Sequence, residues 1–148
     1  MNHKFAVAVW LAISIGGSAL TTAAEESLGE KKIWREQEKY LAGEGTDMKD
    51  KCGKDIPASF DKPTYKDQLE LNYSVYGYCA ELYSALRTIC ADPDGKAAVQ
   101  KKINKLECAF GGKDKRALSL KDGTLKMIID WDASNYGDFI IAWLLKNL

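Results

Sequence analysis

Four cysteines, Cys52, Cys79, Cys90 and Cys108, limit what this 148-residue chain can fold into more than any other feature. An even number of cysteines in a small chain reads as two disulfides when the compartment is oxidising. Successive separations of 27, 11 and 18 residues contain no Cys-x-x-Cys pair. A thioredoxin-type redox centre therefore has no support, and the paired knuckles of a zinc site are missing. Free thiols and a four-thiolate metal site are the alternatives to two bridges. If one helix carries both Cys79 and Cys90, they stand about 16 Å apart along its axis. A disulfide tolerates a Cα separation of only about 7 Å, so these two are not expected to pair. Eleven residues is close to three helical turns, which puts both on one face. That face then offers two staples. The expected pairing is Cys52–Cys79 with Cys90–Cys108, and the crossed arrangement is the runner-up.

The oxidising compartment follows from the first 24 residues, MNHKFAVAVWLAISIGGSALTTAA. Lys4 gives a short basic start. Phe5 to Ile15 is apolar and uncharged, and Gly16, Gly17 and Ser18 interrupt it. Thr22-Ala23-Ala24 fits the small-x-small rule for a signal peptidase, and Glu25-Glu26 would open the mature chain. The apolar run of about 11 residues falls short of the roughly 20 that span a bilayer. Export to the periplasm or the extracellular space is the expectation, with an uncleaved anchor as the alternative. Residues 1–24 are read as leader and 25–148 as one disulfide-braced domain.

Cleavage would remove His3, the chain's one histidine. Without imidazole, Ser-His-Asp and Cys-His catalysis and His-ligated zinc or haem fall away. Lysine plus arginine equal aspartate plus glutamate at 21 each, so no strong field draws the chain to nucleic acid or anionic lipid. No cofactor is expected.

Residues 25–42 suit a helix with Ile33, Trp34, Tyr40 and Leu41 as its apolar stripe. Residues 43–63 read as a long connection tied down by Cys52. Thr64 to Cys90 is the strongest helix candidate, with Thr64 as cap and Asp67 three residues on. Val75, Cys79, Leu82, Leu86, Ile89 and Cys90 form one stripe; Leu69, Tyr73, Tyr76 and Tyr83 form a second. Two apolar faces predict a central helix with neighbours on both sides. Asp92 as cap and Pro93 as first residue start the next helix. Asp92-Pro93-Asp94-Gly95 lacks the other ligand positions of a calcium loop.

From Leu106 the period changes to two. Leu106, Cys108 and Phe110 alternate, Gly111 to Asp114 turn, and Leu118 and Leu120 alternate again. Asp122-Gly123 is a two-residue hairpin signal before Leu125, Met127, Ile129 and Trp131. The hairpin register places Lys121 opposite Thr124, Leu120 opposite Leu125 and Leu118 opposite Met127. A terminal helix from Ala133 to Leu148, capped by Asp132 or Ser134, is more apolar than a one-sided helix needs. Ile141 and Leu145 lie off its main stripe. The fold class is α+β: three or four helices on one face of a small C-terminal three-stranded antiparallel meander, with two disulfides.

Acid-base chemistry is left only to carboxylates. Asp130 and Asp132 would share a strand face, although a solvated strand residue and a helix cap are the simpler roles. Glu81 lies among aromatic residues. Gly111-Gly112-Lys113 lacks phosphate-loop spacing, and Lys96, Lys101, Lys102 and Lys105 form a solvated helix face. The leading expectation is an exported, non-enzymatic protein-interaction or inhibitor-type protein with an unknown protein partner, no nucleic acid and no stable membrane insertion. Trp143, Ile141, Leu145 and Trp131 are the candidate interface. A small-ligand-binding envelope protein using the central tyrosines is the alternative, and an Asp/Glu-dependent hydrolase a remoter one. Non-reducing mass spectrometry of the exported protein is expected to show a start near Glu25 and the loss of four hydrogens. Four reduced thiols would refute the framework.

Overall fold

The computed structural model describes residues 26–66, 68–69 and 74–148. The expected leader, Asp67 and Tyr73 lie outside the described residues. The elements run α1 (Leu28–Glu44), α2 (Met48–Cys52), β1 (Ala58–Phe60), a 3₁₀ turn (Lys62–Tyr65), α3 (Val75–Cys90), α4 (Pro93–Lys102), β2 (Lys105–Phe110), β3 (Ala117–Lys121), β4 (Thr124–Ile129) and α5 (Tyr136–Asn147). This is the α+β class, with four helices of ten residues or more and the five-residue α2.

Helix starts follow local chemistry. Ser27 Oγ accepts from the Glu30 amide at 3.2 Å, and Glu30 Oε2 accepts from the Ser27 amide at 2.7 Å. This reciprocal box sets the start of α1 three residues later than residue 25. The same backbone hydrogen bond holds the Glu30 carboxyl below its ordinary pKa. Asp92 caps α4 as expected, its Oδ1 accepting from the Asp94 and Gly95 amides at 2.9 and 3.0 Å. Thr64 does not cap the central helix. It sits in the 3₁₀ turn, where Oγ1 donates to Asp61 O at 2.7 Å and accepts from the Phe110 amide at 2.8 Å. Its hydroxyl is thus committed to β2, and α3 begins at Val75. Nor do Asp132 or Ser134 cap α5: Asn135 does so in a left-handed conformation at φ 56°, which asparagine tolerates better than most residues.

The whole predicted stripe of α3 is buried, joined by Tyr83 and Ala85. Helices α1, α2, α4 and α5 and strand β2 all contact it. The chain direction of α1 matters most. Gln37 Oε1 accepts from the Tyr76 amide at 2.9 Å, and the Arg87 guanidinium reaches Glu44 O and the Asp47 carboxylate. Low numbers therefore meet low numbers, and α1 runs parallel to α3. Its end delivers α2 to the last turn of α3.

That delivery overturns the expected disulfide pairing. The bonds are Cys52–Cys90 and Cys79–Cys108, with Cα separations of 5.2 and 5.9 Å. Cys79 and Cys90 each take one staple, as their shared helix face predicts, but Cys52 docks at a different height. Parallel α1 carries Cys52 past Cys79 to Cys90, leaving Cys79 to face Cys108 on the sheet. Loops of 38 and 29 residues give each bridge roughly 3–4 kcal/mol by the chain-entropy argument. Disulfides persist in oxidising compartments and are rare in the cytosol.

The sheet has four strands in the order β1-β2-β4-β3, not three in a meander. Short β1, expected to be loop, pairs parallel with β2, placing Ala58 opposite Leu106 and Phe60 opposite Cys108. Strand β2 pairs parallel with β4, and β3 pairs antiparallel with β4 on its far side. Burial explains the order. Leu125, Met127 and Ile129 of β4 are fully buried, whereas β3 alternates exposed and half-buried residues. The more apolar strand takes the centre. The connection at residues 111–116 is long enough to pass over it. Asp130 holds this crossover, its Oδ2 accepting from the Asp114 amide at 2.8 Å.

Inside the hairpin the expected register is met at each pair: Lys121 with Thr124, Leu120 with Leu125, Leu118 with Met127. Asp122 and Gly123 both have positive φ, 50° and 77°, the signature of a type I′ turn. A side chain at Gly123 would also collide with Asn104, whose amide donates to Gly123 O at 2.7 Å. Replacing Gly123 by Val is expected to cost about 1–3 kcal/mol. A thermal melt with an unchanged midpoint would refute the turn's role.

Candidate functional site

Where α3 ends and α4 begins, their shared corner meets the last two turns of α5. An open groove of about 500 Å³ lies between them. Most of its lining is apolar: Ile89 from α3, Ala98 from α4, Ile141, Leu144 and Leu145 from α5, and Leu148 just after it. Gly95 permits the corner. A Cβ there would strike the Ile89 carbonyl, so only glycine lets α4 fold back this tightly over the end of α3. Leu144 is fully buried in the core, Ile141 is half-buried, and Leu145 on the lip is 73% exposed. Leu145 thus leaves an exposed apolar side chain on the edge of an apolar groove.

The charges are asymmetric. Asp92 and Asp94 are the only ionisable side chains lining the groove. Both are exposed, and neither forms an ion pair among the described residues. Asp92 uses Oδ1 for capping, which leaves its second oxygen free of that task. Lys102 sits at the end of α5, where its ammonium donates to the carbonyls of Asn147 and Leu148. That cation is spent on the C-terminal carbonyls of the helix.

Of the four interface candidates, Ile141 and Leu145 line this groove, while Trp143 and Trp131 do not. Trp143 is half-buried on α5. Trp131 lies just past the end of β4, stacked on Phe110 at 5.0 Å and tilted against Tyr78 at 4.9 Å and Tyr65 at 6.1 Å. Its ring belongs to an aromatic cluster that continues through Tyr65 to Trp34 and Phe60. Sequence reasoning misses Ala98, Asp92 and Asp94 as groove residues. In sequence the aspartates read as cap chemistry, which Asp92 performs, and a contact between α4 and α5 has no local signature.

The carboxylates left open by the sequence are placed as follows. Asp130 is buried rather than solvated, its Oδ1 accepting from the Asp132 amide at 2.9 Å and its Oδ2 from Asp114. Both oxygens are occupied in holding loops. Asp132 is exposed, and Glu81 is half-buried on α3 beside Gly137. A second depression is lined by Asp130, Asp132, Lys113 and Arg116. The Arg116 guanidinium lies 4.2 Å from the Phe139 ring centre, bracing α5 by a cation–π contact. Among the described residues no group of three or more His, Cys, Asp or Glu could hold a metal, and all four cysteines are in disulfides. No helix among the described residues is long and apolar enough to cross a membrane.

The tyrosines of α3 contact protein; Tyr73 lies outside the described residues. Tyr83 Oη donates to Ile56 O at 2.9 Å, Tyr78 Oη reaches Trp131 O at 3.4 Å, and Tyr76 packs on Tyr40. Tyr65 differs: it is fully buried, and neither its hydroxyl nor the buried indole N–H of Trp131 has a hydrogen-bond partner among the described residues. No family model, curated protein or solved structure matches this chain.

The two buried tyrosines generate a paired prediction. Removing the hydroxyl of Tyr83 strands the Ile56 carbonyl, so Tyr83→Phe is expected to lose about 1 kcal/mol. Tyr65→Phe removes an unpaired buried hydroxyl and is expected to be neutral or stabilising. Burial pushes the Tyr83 phenol up to about 12 and that of Tyr65 further. An unfolded phenol ionises near 10, so the folded chain holds more protons above that pH and stability falls as pH rises from about 10 towards 12. Thermal melts of both variants at pH 7, and of the parent across the alkaline range, check these signs. A Tyr65→Phe variant less stable than Tyr83→Phe would overturn the assignment.

Proposed function

We propose that this chain is an exported, non-enzymatic interaction protein that docks another protein in the groove between α3, α4 and α5. The carrying observation is the exposed Leu145 on the lip of an apolar groove whose α3 wall is stapled by the Cys52–Cys90 bond. A rigid wall suits recognition, because little order is lost when a partner docks. Signal-peptide cleavage after Ala24 would deliver the chain to the periplasm or the extracellular space, where both disulfides are stable. The absence of imidazole from residues 25–148 and the commitment of Asp130 to backbone amides favour binding over hydrolysis. A small ligand in the same groove is the second reading, since about 500 Å³ lies within the range of such sites. The exposed Leu145 on its lip, which a macromolecule would cover, favours a protein partner.

Site-specific photo-cross-linking in the native compartment tests this. Benzoylphenylalanine in place of Leu145 is expected to capture a discrete protein, and the same group in place of Lys113, on the other depression, is expected not to. Identical adducts from both positions, or none from Leu145, would overturn the reading. A co-purified small molecule displaced by Leu145→Asp would favour the second one.

A further inference from the structure

We infer that the groove takes a protein segment in which an apolar anchor side chain stands next to lysine or arginine. This rests on the groove being the docking site and specifies what enters it. The apolar part follows from the lining of Ile89, Ala98, Ile141, Leu145 and Leu148. The basic part follows from charge. The two ionisable residues of the lining are both carboxylates, Asp92 and Asp94, both exposed and without an ion pair among the described residues. Helices α3 and α5 also end at this groove, and a helix C-terminus carries partial negative charge. At α5, Lys102 answers that charge from within the chain. At α3, the last turn carries Arg87, which is instead directed to Glu44 at the end of α1 and to Asp47 just after it. The α3 carbonyls of Thr88 and Ile89 accept from the Ala91 and Asp92 amides, so the negative charge of the rim lies on Asp94 and on the second oxygen of Asp92. The N-terminal dipole of α4 opposes it, but the Asp92 cap already satisfies those amides. An acidic partner would meet two like charges, whereas a basic one gains specificity and a faster encounter. An apolar side chain buried in the floor supplies most of the affinity and the cation sets which segment fits.

Selection from a random dodecapeptide phage library on the folded, oxidised chain tests the inference and does not require the natural partner in hand. The expected consensus couples leucine, isoleucine or phenylalanine to lysine or arginine within one or two positions. Synthetic peptides of that consensus are expected to lose about tenfold or more in affinity against Leu145→Asp, and several-fold against Asp94→Lys, with affinity for the parent falling as salt rises. Leu145 and Asp94 are exposed, and a thermal melt confirms that each variant folds. A groove-dependent consensus that is acidic or uncharged overturns this inference and leaves the docking reading standing. Enrichment of nothing, or of peptides indifferent to Leu145→Asp, overturns both. Self-association of the chain that Leu145→Asp abolishes, seen in sedimentation without added peptide, would instead assign the groove to a second copy and also overturn the inference.

Discussion

Helix α3 is pinned at two heights by two disulfides, and the rest of the chain is arranged around those pins. Cys79 ties it to the middle of the sheet through Cys108, and Cys90 ties its last turn to α2 through Cys52. One helix face can carry both because eleven residues bring the side chain round by close to three turns. The covalent links are interleaved in sequence, so neither half of the chain can leave the core while both are intact. Removing either would release a loop of about thirty residues or more into the unfolded ensemble, which is where most of a disulfide's effect lies.

The groove is a consequence of that arrangement. With the end of α3 anchored, the Asp92-Pro93 corner turns the chain sharply into α4, and Gly95 lets the turn close against Ile89. Helix α5 then lies along α3, with Gly137 beside Glu81 and its last turns beside Ile89. Its N-terminal half is braced, with Tyr136 Oη exchanging hydrogen bonds with the backbone of Asp130 and Arg116 lying over Phe139. Its C-terminal half projects Ile141 and Leu145 over the α3–α4 corner, where nothing of the described chain fills the gap. An apolar surface left open beside such a heavily stapled core is the physical basis for reading this molecule as a binder.

Buried polar groups separate architecture from function in the same way. Asp130 resembles half of a catalytic pair in sequence, yet both its oxygens hold the backbone of the crossover and the following turn. A buried carboxylate accepting two amides is satisfied as a structural clamp. Tyr65 and Trp131 carry buried polar atoms without partners among the described residues, within an aromatic cluster whose packing holds them there despite the desolvation cost.

Local chemistry made much of this legible from residues alone. The Asp122-Gly123 turn determined its hairpin and register because two residues of positive φ dictate how flanking strands twist. Asp92 and Pro93 determined the start of α4, and the stripe from Val75 to Cys90 determined the central helix, because caps and periodicity act within a few residues of themselves. Tertiary structure alone decided which cysteines pair, that β4 rather than β3 lies beside β2, that Ala58 to Phe60 forms a strand, and that Asp92 and Asp94 rim a groove with Leu145. Those outcomes depend on the direction in which α1 packs along α3 and on competition among strands for the buried centre of the sheet. Such contacts join residues tens of positions apart, and no short stretch of sequence records them.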